Sequence, residues 1–148
     1  TVGEAERVET WIEDARQAGA AVLTGGLRKR ATVEPTVLAD APAGVRACCR
    51  EVFGPVVVVN SYDTLDRAIE RVNDSAYGLQ AGIYTRDMEK AFRAARRLHT
   101  GGVHIGEVPA YRVDQMPYGG VKLSGMGREG PRYAIEEMTE VKLVTWKA

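Results

Sequence analysis

Hydrophobic and polar positions recur along the first eighteen residues with the period of an amphipathic helix. The apolar residues on one face are Val8, Ile12 and Ala15, while acidic and basic residues occupy the other face. This pattern predicts a helix over residues 3–18. We expect the helix to end there because Gly19 readily adopts the left-handed conformation found after a helix C-terminus.

Short apolar runs after this helix predict strands. Residues 20–23 predict a buried strand, which the Gly25-Gly26 turn closes. Residues 33–38 predict a second strand, and Pro35 within it favours a sheet edge or a bulge because proline lacks an amide hydrogen. Residues 56–59 give the strongest signal, since four successive valines indicate a strand buried on both faces, as in a parallel sheet.

Strand and helix patterns then alternate along the chain. They predict a helix over residues 65–72 capped by Asp63 or Thr64, a strand over 79–84, a helix over 88–98 and a strand over 102–105. This order predicts the α/β class, with an open, mostly parallel sheet flanked by helices. A glycine-rich loop, 106–127, follows, and loops of such length in compact domains are commonly functional. A short helix over 132–138 and an alternating strand over 141–146 end the chain.

Composition narrows the classes of function. The 148 residues carry 20 basic and 20 acidic side chains, so no global field would attract nucleic acid or a membrane surface. No apolar stretch approaches the roughly 20 residues that span a bilayer. The two cysteines, Cys48 and Cys49, are adjacent and cannot form a disulfide framework, which predicts a reducing, cytoplasmic location.

The turn at residues 50–55 is a candidate binding element. The carboxylate of Glu51 can accept hydrogen bonds from two ribose hydroxyls, and Phe53 offers a flat face for an aromatic ring. Gly54-Pro55 would fix the turn that presents both side chains. A surface glutamate and a core phenylalanine at a strand entry explain the same residues without any ligand.

The glycine-rich loop carries a second candidate. Arg112 could bind a carboxylate or phosphonate through its planar guanidinium, or it could pair with Asp114. The spacing from Gly120 to Gly125 is that of a phosphate loop, but residues 126–127 lack the required lysine and hydroxyl residue, so a nucleotide-binding loop is rejected.

The sequence gives little support for a metal site or for a catalytic cysteine. His99 and His104 have no acidic or thiol partner at ligand spacing, so we predict no metal site. Cys48 and Cys49 could in principle attack an aldehyde, but neither has an obvious base beside it. We therefore predict no catalytic residue within this chain.

Six segments, in this order, resemble the aldehyde dehydrogenase family, and the resemblance covers nearly the entire chain. They are Gly-Ala at 19–20, Gly-Gly at 25–26, Glu-Val-Phe-Gly-Pro at 51–55, Asn-Asp-Ser-Ala-Tyr-Gly-Leu-Gln-Ala-Gly at 73–82, Pro-Tyr-Gly-Gly-Val-Lys at 117–122 and Ser-Gly-Met-Gly-Arg-Glu at 124–129. The resemblance implies that residues 1–140 form the C-terminal part of a catalytic domain and that residues 141–148 form an oligomerisation strand.

The resemblance also implies roles for individual residues. Glu51 would bind the nicotinamide ribose of NAD or NADP, Phe53 would pack beside the nicotinamide, and Tyr118 would line the aldehyde pocket. Residues 108–120 resemble a subgroup acting on small, often anionic aldehydes such as phosphonoacetaldehyde, lactaldehyde or glyceraldehyde phosphate, in which Arg112 would anchor the anionic end. The terminal strand at 143–146 would join a sheet across a subunit interface and make the enzyme a homo-oligomer.

In this family an aldehyde is oxidised to the acid through a thiohemiacetal on a cysteine. The Gly-Gln-x-Cys segment, the general-base glutamate and the cofactor domain are expected before Thr1, so the chain alone is expected to be inactive. Gly106 stands where the family commonly has asparagine, and Arg50 where a second glutamate is frequent. The alternative is a non-catalytic, truncated domain that associates with itself through the terminal strand.

Overall fold

The N-terminal amphipathic segment forms the first helix, α1 (Val2–Gln17), in the computed structural model, which describes residues 1–147. Thr1 caps this helix, since its side chain accepts a hydrogen bond from the Glu4 amide at 3.3 Å. The predicted apolar face is buried at Val8, Ile12 and Ala15. Gly19 follows the helix with φ of +104°, which confirms the predicted left-handed stop.

Two compact units make up the chain, Thr1–Tyr62 and the residues from Asp63 onward. After α1, the first unit contains β1 (Ala21–Thr24), β2 (Arg28–Lys29), β3 (Thr32–Val33), β4 (Thr36–Ala39), α2 (Arg46–Cys49) and β5 (Val56–Val59). The strands β1, β4 and β5 form one sheet in that order, with β1 antiparallel and β5 parallel to the central β4. The strands β2 and β3 pair as a separate antiparallel ribbon.

The core of the first unit lies between α1 and this sheet. Its buried members are Val8, Ile12, Ala15, Ala20, Leu38, Ala41 and Ala47. Thr36 is buried beside them and is fully hydrogen-bonded: its hydroxyl accepts from the Gly26 amide (2.9 Å) and donates to the Glu34 carbonyl (2.8 Å). This pairing makes the burial of a polar group tolerable.

Three predictions about these strands were wrong. The strand predicted over residues 20–23 is not buried: in β1 only Val22 is partly buried, and Leu23 is 64% exposed. Pro35 does not lie in an edge strand, because the chain breaks between β3 and β4, and β4 begins one residue after the proline as the central strand. The valines of β5 are not buried on both faces: Val57 and Val59 are 52% and 53% exposed. Valine's branched side chain favours a strand, but burial depends on what covers each face, and one face of β5 is uncovered within residues 1–147.

The second unit alternates helices and strands as predicted. It contains α3 (Leu65–Asn73), β6 (Tyr77–Gly78), β7 (Gln80–Ile83), α4 (Met88–Arg97), β8 (Gly102–Ile105), β9 (Val121–Lys122) and α5 (Pro131–Glu137). Thr64 rather than Asp63 caps α3, accepting from the Arg67 amide. The strands β7 and β8 pair in parallel, and β6 pairs with β9 antiparallel.

The predicted α/β class is confirmed, and its parallel pairs are β4 with β5 and β7 with β8. The strands that the structure describes are divided among four small sheets. Residues 141–147 have no regular structure here, so their pairing as a terminal strand stays a prediction, and Ala148 lies outside the described residues. None of the helices within residues 1–147 is long and apolar enough to cross a membrane.

The turn between β1 and β2 offers a test of the first unit's packing. Gly25 has φ of +72°, and a Cβ added there would lie 2.2 Å from the Pro35 carbonyl oxygen. We expect Gly25→Ala to lower the free energy of unfolding by about 3 kcal/mol or more, since backbone strain and a clash with main chain add together. Gly19→Ala is the matched control, because Gly19 is also left-handed but has open space around it. Equal losses in urea unfolding of the two variants would contradict this packing.

Candidate functional site

The turn between α2 and β5 displays an aromatic ring to solvent. Phe53 is 82% exposed and has φ of +46°, a left-handed conformation that is unusual for a bulky residue. The alternative that Phe53 is a core phenylalanine is therefore wrong. Glu51 is also exposed, and its carboxylate has no hydrogen bond or ion pair with any of the residues that the structure describes.

Several contacts fix the main chain on both sides of Phe53. The guanidinium of Arg7 donates a hydrogen bond to the Val52 carbonyl at 2.7 Å, and the Val52 side chain packs against the core. A Cβ at Gly54 would lie 2.8 Å from a Val8 methyl, so only glycine fits against the helix there. The Pro55 carbonyl accepts from the first amide of β4 at 2.8 Å. The exposed ring is thus attached to a rigid backbone.

The two cysteines lie just before this turn. The Cys48 thiol is 3.9 Å from the Ala41 carbonyl oxygen, and the Cys49 thiol is 3.7 Å from that of Gly44. Both sulfurs therefore lie against main-chain carbonyls of the loop before α2. Among residues 1–147, no group of three or more His, Cys, Asp or Glu side chains is arranged to hold a metal ion.

In the second unit, Arg112 and Tyr118 are in direct contact. The Arg112 guanidinium carbon lies 4.3 Å from the centre of the Tyr118 ring, which is a cation–π arrangement. One guanidinium nitrogen lies 2.9 Å from a carboxylate oxygen of Glu129. The acidic partner of Arg112 is thus Glu129, whereas the sequence had offered Asp114.

Backbone contacts hold the loop that carries these side chains. Tyr118 and Glu129 form an antiparallel bridge. The Tyr118 nitrogen lies 3.1 Å from the Glu129 carbonyl oxygen, and the Glu129 nitrogen lies 2.6 Å from the Tyr118 carbonyl oxygen. The Lys122 ammonium donates to the carbonyls of Asn73 (2.7 Å) and Ser75 (2.9 Å) at the C-terminal end of α3. Lys122 itself has φ of +58°, so the ammonium contacts hold an unusual backbone conformation in place.

A cleft of about 310 Å³ opens beside this bridge. Its lining includes Leu79, Tyr118, Ser124, Arg128, Glu129 and Glu137. The adjacent Gly119 and Gly120 permit close packing of the loop: a Cβ on Gly119 would lie 2.5 Å from the Gly127 carbonyl oxygen, and one on Gly120 would lie 2.5 Å from the Ser124 Cβ. These glycines therefore shape the loop and need no phosphate to explain them.

The predicted binding residues form one pair in each unit, Glu51 with Phe53 and Arg112 with Tyr118. Sequence reasoning did not identify Arg7, Glu129 or Lys122 as the residues that hold these pairs. The contact of Arg7 with Val52 joins positions 45 residues apart, and that of Arg112 with Glu129 joins positions 17 apart. No local pattern signals such contacts, although Arg7 and Trp11, which also contact each other, do share the i, i+4 spacing of a helix face.

Comparison with known proteins identifies the family of the chain. The model for the aldehyde dehydrogenase family matches residues 2–144, which is nearly the whole chain. The chain belongs to the aldehyde dehydrogenase family. The order of motifs in the sequence had predicted this membership, and it is confirmed.

Individual family members show the same relation. The chain is 51% identical over 141 residues to a 3-sulfolactaldehyde dehydrogenase of Priestia aryabhattai, covering 95% of the chain and 30% of that relative. Aldehyde dehydrogenase 21 of Physcomitrella patens, solved with its reaction product succinate, superposes with a TM-score of 0.91 at 44% identity, covering 95% of the chain and 29% of that protein. A glyceraldehyde-3-phosphate dehydrogenase of Methanocaldococcus jannaschii, solved with NADP, gives 0.89 at 39% identity, covering 96% and 31%. The chain thus spans about 30% of the length of these family members.

A substitution at Phe53 tests whether its left-handed conformation and exposed ring cost the fold stability. We expect Phe53→Asn to raise the free energy of unfolding by about 0.5–1 kcal/mol, because asparagine tolerates the left-handed conformation and the exposed ring contributes little burial. Tyr62→Asn is the control, since Tyr62 is 61% exposed but not left-handed, and we expect no gain there. Thermal unfolding of the chain measures both. A clear loss of stability in Phe53→Asn would mean that the ring packs on the protein.

Proposed function

We propose that this chain supplies the nicotinamide-facing wall and part of the aldehyde pocket of an NAD(P)-dependent aldehyde dehydrogenase, in which a small anionic aldehyde is oxidised to the acid. We call the full-length protein that contains these residues the intact enzyme. The observation that carries the proposal is the Phe53 ring, which is exposed on a left-handed turn. Two residues earlier in the same turn, the Glu51 carboxylate makes no hydrogen bond or ion pair within residues 1–147. A strained aromatic residue without a protein partner is well suited to contact a ligand.

The chemistry of the turn fits the nicotinamide end of the cofactor. Both oxygens of the Glu51 carboxylate are available to accept hydrogen bonds from vicinal ribose hydroxyls, and the Phe53 ring can pack on a flat heteroaromatic ring. The cofactor, when bound, would accept the hydride that the aldehyde carbon loses. The solved relative with NADP supports a nicotinamide cofactor and leaves the choice between NAD and NADP to experiment.

The second pair fits an anionic aldehyde. Arg112 offers a planar fork of donors for a carboxylate, sulfonate or phosphonate, and Tyr118 contributes an aromatic wall next to it. The Priestia relative is named for 3-sulfolactaldehyde, and the Physcomitrella structure holds succinate. Both of these compounds carry an anionic group. We therefore assign Arg112 to the anionic end of the substrate and Tyr118 to the pocket wall.

The nucleophile of the proposed reaction lies outside these residues. Family resemblance implies a cysteine thiohemiacetal, but Cys48 and Cys49 do not lie in the nucleophile's motif and rest against loop carbonyls. We accordingly propose that residues 1–148 alone do not oxidise aldehydes. We also propose a reducing, cytoplasmic location, since Cys48 and Cys49 form no disulfide within residues 1–147.

A second candidate function, self-association, is favoured by the C-terminal segment. Its apolar residues are strongly exposed, from 78% upward, at Val141, Leu143, Val144 and Trp146. Exposed apolar residues of this kind favour strand pairing with another copy. In the proposed enzyme this pairing makes a homo-oligomer; without the rest of the enzyme it would make the chain a self-associating, non-catalytic domain.

Replacing Glu51 tests the cofactor assignment. In the intact enzyme we expect Glu51→Gln to raise the KM for NAD(P) by about tenfold or more with a smaller change in kcat, because hydrogen bonds to a carboxylate are stronger than those to an amide. Glu34→Gln is the control, since Glu34 is an exposed glutamate of the same unit outside the turn. Steady-state kinetics at saturating aldehyde gives both constants. An unchanged KM for Glu51→Gln would remove Glu51 from the cofactor site.

The isolated chain separates the two candidate functions. We expect purified residues 1–148 to form no NAD(P)H from aldehydes and to sediment as more than a monomer. Leu143→Lys should shift the sedimentation towards monomer because a charge disfavours apolar strand pairing. Exposed Leu23→Lys, in the first unit, is the control. Robust NAD(P)H formation by residues 1–148 would contradict the proposal that the nucleophile lies outside them. A strictly monomeric chain would contradict the proposed role of the terminal segment in self-association.

A further inference from the structure

The guanidinium of Arg112 contacts two different groups, an aromatic ring and a carboxylate. Its central carbon lies over the Tyr118 ring, 4.3 Å from the ring centre, while one of its nitrogens lies 2.9 Å from the Glu129 carboxylate. The donor hydrogens of a guanidinium point outward in its plane, so the edge is the part that an anionic ligand would bind. Glu129 therefore competes with a substrate anion for at least one of the Arg112 donors.

The main chain places Glu129 at that position. The two backbone hydrogen bonds of the bridge set Glu129 directly opposite Tyr118, so the aromatic face and the carboxylate converge on one arginine. Both charged side chains are partly solvated, with 42% of Arg112 and 66% of Glu129 exposed. Ion pairs at such exposure are weak, so another anion can displace the carboxylate while the guanidinium stays on the ring.

Neighbouring charges have other partners. The Arg128 guanidinium donates to the carbonyls of Gly120 (2.9 Å) and Gly127 (2.7 Å) and so closes the loop. Glu136 forms an ion pair with Arg132 on α5 at 2.9 Å. Arg112 and Glu129 thus form a charge pair with no contact to these groups among the residues that the structure describes.

We propose that Glu129 is a specificity-determining residue, an internal counter-ion that holds the anion-binding edge of Arg112 until the anionic group of the substrate displaces it. This inference rests on the proposed function, in which Arg112 anchors that group. Only an aldehyde that carries an anion can take the place of the carboxylate. A neutral aldehyde leaves the pair intact and gains nothing from Arg112. Glu129 therefore lowers the affinity for anionic substrates alone, limits the preference that Arg112 creates for them, and keeps the arginine neutralised in their absence.

The test compares succinic semialdehyde with butanal, an uncharged aldehyde of the same chain length, in the intact enzyme. Glu129→Gln removes the competing charge, so the KM for succinic semialdehyde should fall by about fivefold while that for butanal stays the same. Arg112→Met removes the anchor and should raise the KM for succinic semialdehyde by about tenfold. In the Arg112→Met background, Glu129→Gln should have no further effect, which a merely structural role would not produce.

Each outcome bears on one claim. If Arg112→Met leaves both KM values unchanged, the anchor in the proposed function is wrong. If Arg112→Met acts as expected but Glu129→Gln leaves or raises the KM for succinic semialdehyde, the counter-ion role is wrong and the anchor stands. Glu136→Gln removes an exposed charge of the same kind and should change neither KM. Glu129→Ala serves as a second removal of the carboxylate, and thermal unfolding verifies that each variant is folded.

Discussion

The hydrogen bond from Arg7 to the Val52 carbonyl sets the geometry on which the display of Phe53 depends. It ties the residue before Phe53 to α1, and the close contact of Gly54 with Val8 ties the residue after it to the same helix. Between these points Phe53 takes a left-handed conformation, with φ of +46°. That conformation costs on the order of 1–2 kcal/mol, and the surrounding contacts offset it. An exposed ring on a strained but anchored backbone is the result.

The second unit holds its chemistry in a similar way, with side chains that bind backbone carbonyls. The Lys122 ammonium fastens the glycine-rich loop to the end of α3, and the bridge between Tyr118 and Glu129 fixes the segment on which Arg112 rests. In both units the groups that can meet a ligand are exposed, while apolar packing occurs elsewhere. Such an arrangement separates the stability of the fold from the reactivity of the site, so that variants at the exposed positions can change binding with little effect on folding.

Local features of the fold were predictable from the sequence, and features that depend on distant neighbours were not. The helix α1 and the cap at Thr64 follow from residue spacing within a few positions. The exposure of Val57 depends on what covers β5, which no local pattern reports. Motif order identified Glu51, Phe53, Arg112 and Tyr118 as candidates. It could not show that Glu129 lies on Arg112, because 17 residues and a folded loop separate the two.

The central claim is that Glu51 and Phe53 hold the nicotinamide end of the cofactor. A crystal structure of the intact enzyme with NAD(P) bound tests this claim most directly. It should show the nicotinamide ring packed against the Phe53 side chain and the adjacent ribose hydroxyls within hydrogen-bond distance of the Glu51 carboxylate. A cofactor whose nicotinamide ribose lies away from this turn, with Phe53 packed instead against protein, would contradict the account.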